Sequence, residues 1–279
     1  MPVSGDPRPI GVFDSGVGGL TVLSELQRRL PGEPTGYLGD NARAPYGPRP
    51  AEEVQRFTGE GVRWLLDQDI KLLVLACNTA TARALPMVRE LTQVPVLGVV
   101  RPGAVAAAAA TRAGHVGVIA TVGTVESGAY PAAILEADPR LVVSQQACPD
   151  LVPLVEAGRL DDRATQDAVS GYLAALSAQD GDIDTLLLGC THYPLLRPMI
   201  ERQVGEGVAV VDSAFTTALA TEDLLDALGA RASSGGGDGS APVAHRVATT
   251  GHAEAFRVVA ERLFGDDLPR VEAAELARV

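Results

Sequence analysis

Residues 72–81, LLVLACNTAT, form an apolar run that stops abruptly at a cysteine and a group of small polar residues. Residues 185–194, TLLLGCTHYP, repeat this plan far downstream. A short run of leucine and valine bounded by turn-type residues is typical of a strand buried on both faces of a parallel sheet. Each segment therefore predicts a strand with a cysteine at its carboxyl end, Cys77 in the first and Cys190 in the second, where open α/β sheets bind their ligands.

The chain is internally repetitive beyond these two segments. GVFDSG begins at Gly11 and GVIATVG begins at Gly117, at a spacing similar to that between the two cysteines. The repetition predicts an α/β protein of two similar Rossmann-like domains with mainly parallel sheets, related by a pseudo-twofold axis, with a site in the cleft between them. We expect residues 1–99 and 208–279 to form the first domain and residues 100–207 the second. Cys77 and Cys190 would then face each other across the cleft.

The composition of the chain restricts both the class of fold and the kind of partner. Hydrophobic residues make up 46% of the 279 residues and aromatic residues only 4%, which predicts an aliphatic core of helices packed on sheets. The formal net charge of −12 repels phosphate backbones and anionic membrane surfaces. We therefore expect a small-molecule partner, no nucleic acid and no membrane association. The sequence is compatible with a homodimer.

Cysteine usage indicates a cytoplasmic protein with reduced thiols. Cys77, Cys148 and Cys190 are too few and too widely spaced for a disulfide framework or a zinc site of the CxxC type. The sequence shows neither a signal-peptide core nor an apolar run of roughly eighteen residues. Cys148, which precedes Pro149, is expected to be a packed structural thiol. Residues 233–242, SSGGGDGSAP, are expected to form a flexible connection.

The single lysine restricts the choice of cofactor. Lys71 stands at the start of the strand that ends before Cys77, so its amine is expected at the opposite end of the sheet. Pyridoxal phosphate enzymes hold their cofactor on a lysine as a Schiff base. The sequence therefore argues against a pyridoxal mechanism.

Two further segments bring polar groups to strand ends. The strand at residues 10–13 runs into Asp14, Ser15 and a glycine turn before a helix, an arrangement that presents backbone N–H groups to an anion. Residues 39–50, GDNARAPYGPRP, predict a proline-rich surface loop that lines a site. A plain turn with Asp14 as a helix cap, and a plain proline-rich connection, are the alternatives.

Four interpretations of the cysteine pair compete. They are a disulfide, two small buried residues at strand ends, a metal site built from Cys77, Cys190, His192 and Asp14, and acid/base catalysis by two thiols. Racemisation at an α-carbon needs a base on one face and an acid on the opposite face. Two opposed thiols meet this need, because free cysteine has a pKa near ~8.5 and a modest shift leaves one thiolate and one thiol.

Four motifs, in this order, resemble those of the glutamate racemases: DSGVGG from Asp14, DNARAPYG ending at Gly47, ACNTAT around Cys77 and GCTHYP around Cys190. The resemblance extends from about residue 10 to about residue 250. It implies an isomerase that interconverts L- and D-glutamate without a cofactor and supplies D-glutamate for peptidoglycan synthesis, and so for cell wall biogenesis and cell shape. It also implies two α/β domains with the active site between them. The chain departs from the usual proline-alanine form at residues 101–103, Arg-Pro-Gly, where the domains are expected to join.

The same resemblance implies roles for individual residues. Cys77 and Cys190 are expected to be the paired proton donor and acceptor, assisted by Asp14 and His192. The implied substrate contacts are Asp14, Ser15, Tyr46, Gly47, Asn78, Thr79, Thr191 and His192, with Thr121 and Thr124 of the ATVGT turn.

Glu156 is either a group that supports the site or simply exposed. No metal is expected. An aspartate racemase is the alternative enzyme, and a non-catalytic amino-acid-binding protein is the alternative of another class.

Overall fold

The computed structural model describes residues 5–232, 243–265 and 269–277. The connection predicted at residues 233–242 lies outside these described residues. The first part of the chain alternates strands with helices. Its elements are β1 (Ile10–Asp14), α1 (Leu20–Arg29), β2 (Thr35–Gly39), α2 (Ala51–Leu66), β3 (Leu72–Leu75), α3 (Asn78–Leu91) and β4 (Val96–Gly98).

The second part repeats this alternation and then returns to the first. Its elements are α4 (Val100–Ala110), β5 (His115–Ala120), α5 (Val122–Ser127), α6 (Ala129–Ala137), β6 (Val142–Ala147), α7 (Leu151–Glu156), α8 (Arg163–Gln179), β7 (Thr185–Gly189), a 3-10 helix (Tyr193–Leu196), α9 (Arg197–Val204) and β8 (Ala209–Asp212). The chain ends with α10 (Ser213–Leu228), β9 (His245–Thr249), α11 (Ala253–Phe264) and β10 (Val271–Ala273).

The described strands form two parallel sheets with the same internal order. One has the order β10-β9-β2-β1-β3-β4 and the other the order β6-β5-β7-β8. The run β2-β1-β3-β4 therefore matches β6-β5-β7-β8 strand for strand, with β3 and β7 in equivalent places. This confirms the predicted α/β fold with two similar parallel sheets, and it explains why the two cysteine segments look alike in sequence.

The strand β8 lies in the second sheet, which corrects one predicted boundary. Val210 pairs with Leu186 of β7, whereas the predicted first-domain segment 208–279 included this strand. Without β8, the strand β7 would be an edge strand with unpaired backbone groups, and β8 is the next strand along the chain. The chain crosses back along α10, whose Ala214, Ala218 and Leu225 pack in the core of the first sheet.

Residues 101–103 also differ from the prediction. They are not a junction between elements, because α4 begins at Val100 and includes all three in its first turns. Proline is tolerated near the start of a helix, where the missing N–H has no intrahelical partner. The two halves are therefore joined just ahead of this helix, after β4.

The buried strand β3 has the single lysine at its amino end. All four residues of β3 are buried, as the apolar run predicted. At its amino end, Lys71 Nζ lies 2.5 Å from the Glu33 carboxylate and donates to the carbonyl oxygens of Asp6 and Ala230.

Among the residues described, none of the helices combines the length and apolar character needed to cross a bilayer.

Candidate active site

Cys77 and Cys190 line one cavity of about 200 Å³ between the two halves of the molecule. Each follows the carboxyl end of a buried strand, Cys77 after β3 and Cys190 after β7. The side chain of Cys77 also caps helix α3, since its Sγ accepts a hydrogen bond from the Ala80 N–H at 3.4 Å. The equivalent strand ends therefore bring two thiols to the same enclosed space.

Most of the predicted substrate contacts lie on the wall of this cavity. Beside the two cysteines, the lining includes Ser15, Tyr46, Gly47, Asn78, Thr79, Thr121, Thr191 and His192. Two predicted contacts, Asp14 and Thr124, are absent from the lining and lie behind it. Both are fully buried, and each holds a residue that does reach the cavity.

Asp14 supports the turn that carries Ser15. Its Oδ2 accepts a hydrogen bond from the Gly16 N–H at 2.8 Å, while its Oδ1 has no partner among the described residues. Burial raises the pKa of the Asp14 carboxyl, and the nearby His192 opposes this shift. The turn needs glycine next to the carboxylate, because a Cβ added at Gly19 would lie 2.4 Å from the Cβ of Asp14.

The Cys77 thiol is held in its protonated form. Burial, followed by the charge of Asp14, raises the pKa of Cys77 to about 12. Hydrogen bonds with Ser15 and with the Ala80 N–H act in the opposite direction. The thiol donates to Ser15 Oγ at 3.5 Å, so the hydroxyl lies next to the sulfur at the cavity wall.

His192 lies between the Cys190 sulfur and a carboxylate of the same half. Its Nδ1 is 3.8 Å from Cys190 Sγ, and its Nε2 is 2.9 Å from Glu156 Oε1. Burial alone would lower the pKa of His192, but the interactions with Cys190 and Glu156 raise it to about 10. Glu156 is therefore a group that supports the site, which was one of the two alternatives from sequence.

A threonine cluster joins the two halves at the cavity wall. Thr79 Oγ1 is 2.9 Å from Thr121 Oγ1 and 3.3 Å from Thr124 Oγ1, and the latter two are 3.0 Å apart. Close by, the Gly123 N–H donates to the Gly47 carbonyl at 2.8 Å. The loop of the first half is thus closed against the start of helix α5 in the second half.

The loop that carries Tyr46 is tied to the core by an ionic network. The Tyr46 hydroxyl donates to Asp40, whose other oxygen accepts from the Thr250 hydroxyl at 2.6 Å. Arg43 donates to both Asp40 and Glu60. These contacts make residues 39–50 a rigid wall of the cavity rather than a plain connection.

The metal and pyridoxal alternatives find no support in the positions of their ligands. In the described ranges, no three of Cys77, Cys190, His192 and Asp14 bring their ligand atoms within 4.8 Å of one another. Lys71 is engaged with Glu33 at the amino end of β3, away from the cavity. The cavity wall therefore offers a pair of thiols flanked by hydroxyls, amides and an imidazole.

The sequence of this chain is similar to a known protein family and to characterised relatives. The family model described as Asp/Glu/Hydantoin racemase matches residues 10–221. The glutamate racemase of Listeria monocytogenes is 47% identical over 254 residues, which cover 91% of this chain and 93% of that protein. The chain belongs to the glutamate racemases of this family.

Solved glutamate racemases share the whole fold. The enzyme from Bacillus anthracis superimposes with a TM-score of 0.87 at 43% identity, covering 96% of each chain. The enzyme from Francisella tularensis, solved in complex with D-glutamate, gives a TM-score of 0.87 at 31% identity, covering 97% of this chain and 98% of that one. This member of the family is therefore an amino-acid racemase, an isomerase.

Part of the racemase cavity was not predicted from sequence. Cys148 packs in the core of the second half as expected, but it also lines the cavity. Burial raises the pKa of the Cys148 thiol, whose Sγ donates to the Gln146 carbonyl at 3.5 Å. The remaining unpredicted lining is mostly apolar and includes Ala44, Pro45, Pro48, Val122, Pro149, Val152 and Pro153. The PLVE stretch that ends at Glu156 was the one local signal for this wall.

Proposed function

We propose that this glutamate racemase inverts the α-carbon of glutamate by proton transfer between Cys77 and Cys190, without a cofactor. The observation that carries the proposal is the shared cavity, which is lined by two thiols that follow equivalent strands of the two sheets. In each direction one cysteine, as thiolate, removes the α-hydrogen as a proton. The other, as thiol, donates its own proton to the opposite face. The two sulfurs end with exchanged protonation states, so atoms and charge balance.

The environments of the two thiols suit opposite roles. The raised pKa of Cys77 keeps its proton available for donation. The His192 ring, held as a cation by its neighbours, faces the Cys190 sulfur at 3.8 Å. After one turnover Cys77 is the thiolate and Cys190 the thiol, and this is the state from which the reverse reaction starts. Return to the resting state requires transfer of one proton from Cys190 to Cys77.

The carbanion formed at the α-carbon is stabilised in this proposal by preorganised neutral donors. The donors are the backbone N–H groups of Asn78 and Thr79, the first two residues of helix α3, and the hydroxyl group of Thr191, and all three residues line the cavity. Such donors stabilise charge that develops on the substrate carboxylate as the α-hydrogen leaves. The apolar remainder of the wall excludes water, which strengthens each of these interactions.

Glutamate is the proposed substrate because the similar Francisella tularensis enzyme was solved with D-glutamate. D-Glutamate made here would supply peptidoglycan synthesis, and hence cell wall biogenesis and cell shape, in the cytoplasm. A homodimer is the proposed assembly. Aspartate is the competing substrate, since it differs from glutamate by one methylene group.

The test is incubation of the protein with D-glutamate in deuterated water, with no cofactor added, followed by NMR and chiral analysis. We expect deuterium at the α-carbon together with formation of L-glutamate. Parallel incubation with L-aspartate should show exchange at a rate at least about tenfold lower. Absence of exchange with glutamate, or faster exchange with aspartate, would overturn the proposed substrate.

A further inference from the structure

The side chain of Asn78 is held from behind by two buried hydroxyl groups. Its Nδ2 donates to Tyr130 Oη at 2.6 Å and to Ser213 Oγ at 3.4 Å. Tyr130 lies on α6, and Ser213 is the first residue of α10. Neither hydroxyl residue is part of the cavity lining, whereas Asn78 is.

The other polar atom of the Asn78 amide, its Oδ1, has a different environment. Asn78 is 2% exposed, and its Oδ1 is buried without a hydrogen-bond partner among the described residues. A buried acceptor without a partner costs free energy comparable to a lost hydrogen bond, so such an atom on a residue that lines the cavity suits a hydrogen-bond donor of a ligand. With its Nδ2 committed to the two hydroxyls, the amide can offer the cavity only this acceptor.

The Tyr130 ring is itself immobilised by close packing. A Cβ added at Gly189 would lie 2.8 Å from Tyr130 Cε2, so the ring lies directly on the residue that precedes Cys190. Burial raises the pKa of the Tyr130 phenol, which therefore keeps its proton. One rigid side chain thus contacts the segment of each thiol, Asn78 after Cys77 and Gly189 before Cys190.

We propose that Tyr130 and Ser213 are positioning residues that orient the Asn78 amide, so that its Oδ1 accepts a hydrogen bond from the α-ammonium group of the substrate. This inference rests on the proposed function, because glutamate supplies the ammonium group. An amide oxygen facing a cation forms a charge-assisted hydrogen bond. That bond orients the α-carbon about its bond to nitrogen, while the carboxylates are bound by the other donors that line the cavity.

The proposal predicts a selective effect of Tyr130→Phe. Removal of the hydroxyl leaves Asn78 Nδ2 with the weaker Ser213 contact, so the amide is free to rotate and turn its donor to the cavity. Glutarate is glutamate without the ammonium group and does not use the acceptor. We expect the Kd of D-glutamate to rise about tenfold, as for loss of one charge-assisted hydrogen bond, and the Kd of glutarate to stay unchanged.

The experiment is isothermal titration calorimetry of D-glutamate and glutarate with the wild type, Tyr130→Phe and the control Tyr172→Phe. Tyr172 donates its hydroxyl to Asp150 in the same half, so its replacement removes a tyrosine hydroxyl that does not contact Asn78 and should change neither Kd. If Tyr130→Phe does not fold, the smaller change Ser213→Ala is measured in its place, with the same selective effect expected at about threefold.

An equal loss for both ligands would mean that Tyr130 is merely structural and would overturn the proposal. So would a loss confined to glutarate, which would indicate an amide turned toward a carboxylate, or no loss for either ligand. Failure of the proposed function is separate, because it appears as absent deuterium exchange in the wild type while the Kd values remain measurable.

Discussion

His192 Nε2 lies 2.9 Å from Glu156 Oε1, although the two residues are 36 positions apart in the chain. The opposite nitrogen of the ring is 3.8 Å from Cys190 Sγ, so the imidazole bridges a carboxylate and a thiol. The carboxylate is the more exposed partner, with 37% of its side-chain surface accessible, whereas the ring is buried. Glu156 therefore influences Cys190 through the charge and orientation of the ring.

Replacing Glu156 with glutamine should lower the pKa of His192. In the wild type this pKa is about 10, because the interactions with Cys190 and Glu156 outweigh the burial that opposes them. Loss of the carboxylate favours the neutral ring, which then forms at lower pH. We expect the alkaline limb of the kcat/KM profile to move down by about one pH unit or more. Steady-state rates from pH 6 to pH 11 check this, with Glu126→Gln at the exposed Arg83 pair as the control. An unmoved alkaline limb would contradict the role of Glu156.

The three cysteines should respond differently to replacement by serine. Cys77→Ser and Cys190→Ser should each lower kcat by more than about 10²-fold, because serine is nearly isosteric but a far weaker acid. Cys148 lines the same cavity, yet its raised pKa and its hydrogen bond to Gln146 keep it a thiol. Cys148→Ser should therefore remain within about tenfold of the wild type. Racemisation by chiral chromatography and far-ultraviolet circular dichroism measure activity and folding. Near-wild-type activity of either Cys77→Ser or Cys190→Ser would refute the two-thiol mechanism.

Gly123→Ala should open the contact between the two halves. The new Cβ would lie 2.8 Å from the Gly47 carbonyl oxygen, a backbone atom that cannot rotate away. The loop with Tyr46 and Gly47 would move off the cavity, so we expect KM for glutamate to rise about tenfold with a smaller change in kcat. Gly171→Ala is the matched control, since a Cβ there meets nothing within 4 Å. That variant should keep its KM and gain about 0.5–1 kcal/mol of stability from its helical position. Equal KM values for the two variants would show that the contact does not shape the cavity.

Lys71 should be inert to amine-reactive reagents in the native protein. Its side chain has no accessible surface and its Nζ is bonded to Glu33 and two carbonyl oxygens. An N-hydroxysuccinimide ester at pH 8 should leave Lys71 unmodified, and should label it once urea unfolds the chain. Peptide mass spectrometry distinguishes the two states. Labelling of Lys71 without denaturant at the rate seen in urea would contradict its burial.

The positions of the two thiols followed from the amino-acid sequence alone. Apolar runs ending in ACNTAT and GCTHYP carry a local signature, because a strand buried on both faces must be apolar throughout and must stop at turn residues. The internal repetition then predicted two similar sheets, whose observed strand orders match. The same reasoning did not predict that β8 belongs to the second sheet. A short apolar edge strand has no residue pattern that identifies the strand with which it pairs.

Only the tertiary structure decided how the groups around the thiols are paired and held. The pairs His192 with Glu156 and Asn78 with Tyr130 join residues on separate elements, and the burial that raises the pKa of Cys77 depends on atoms from many segments. Helix-to-sheet packing brings such residues together, and packing complementarity leaves no periodic pattern in the chain. Sequence thus determined which chemistry the strand ends carry, whereas packing determined how each group is oriented and charged.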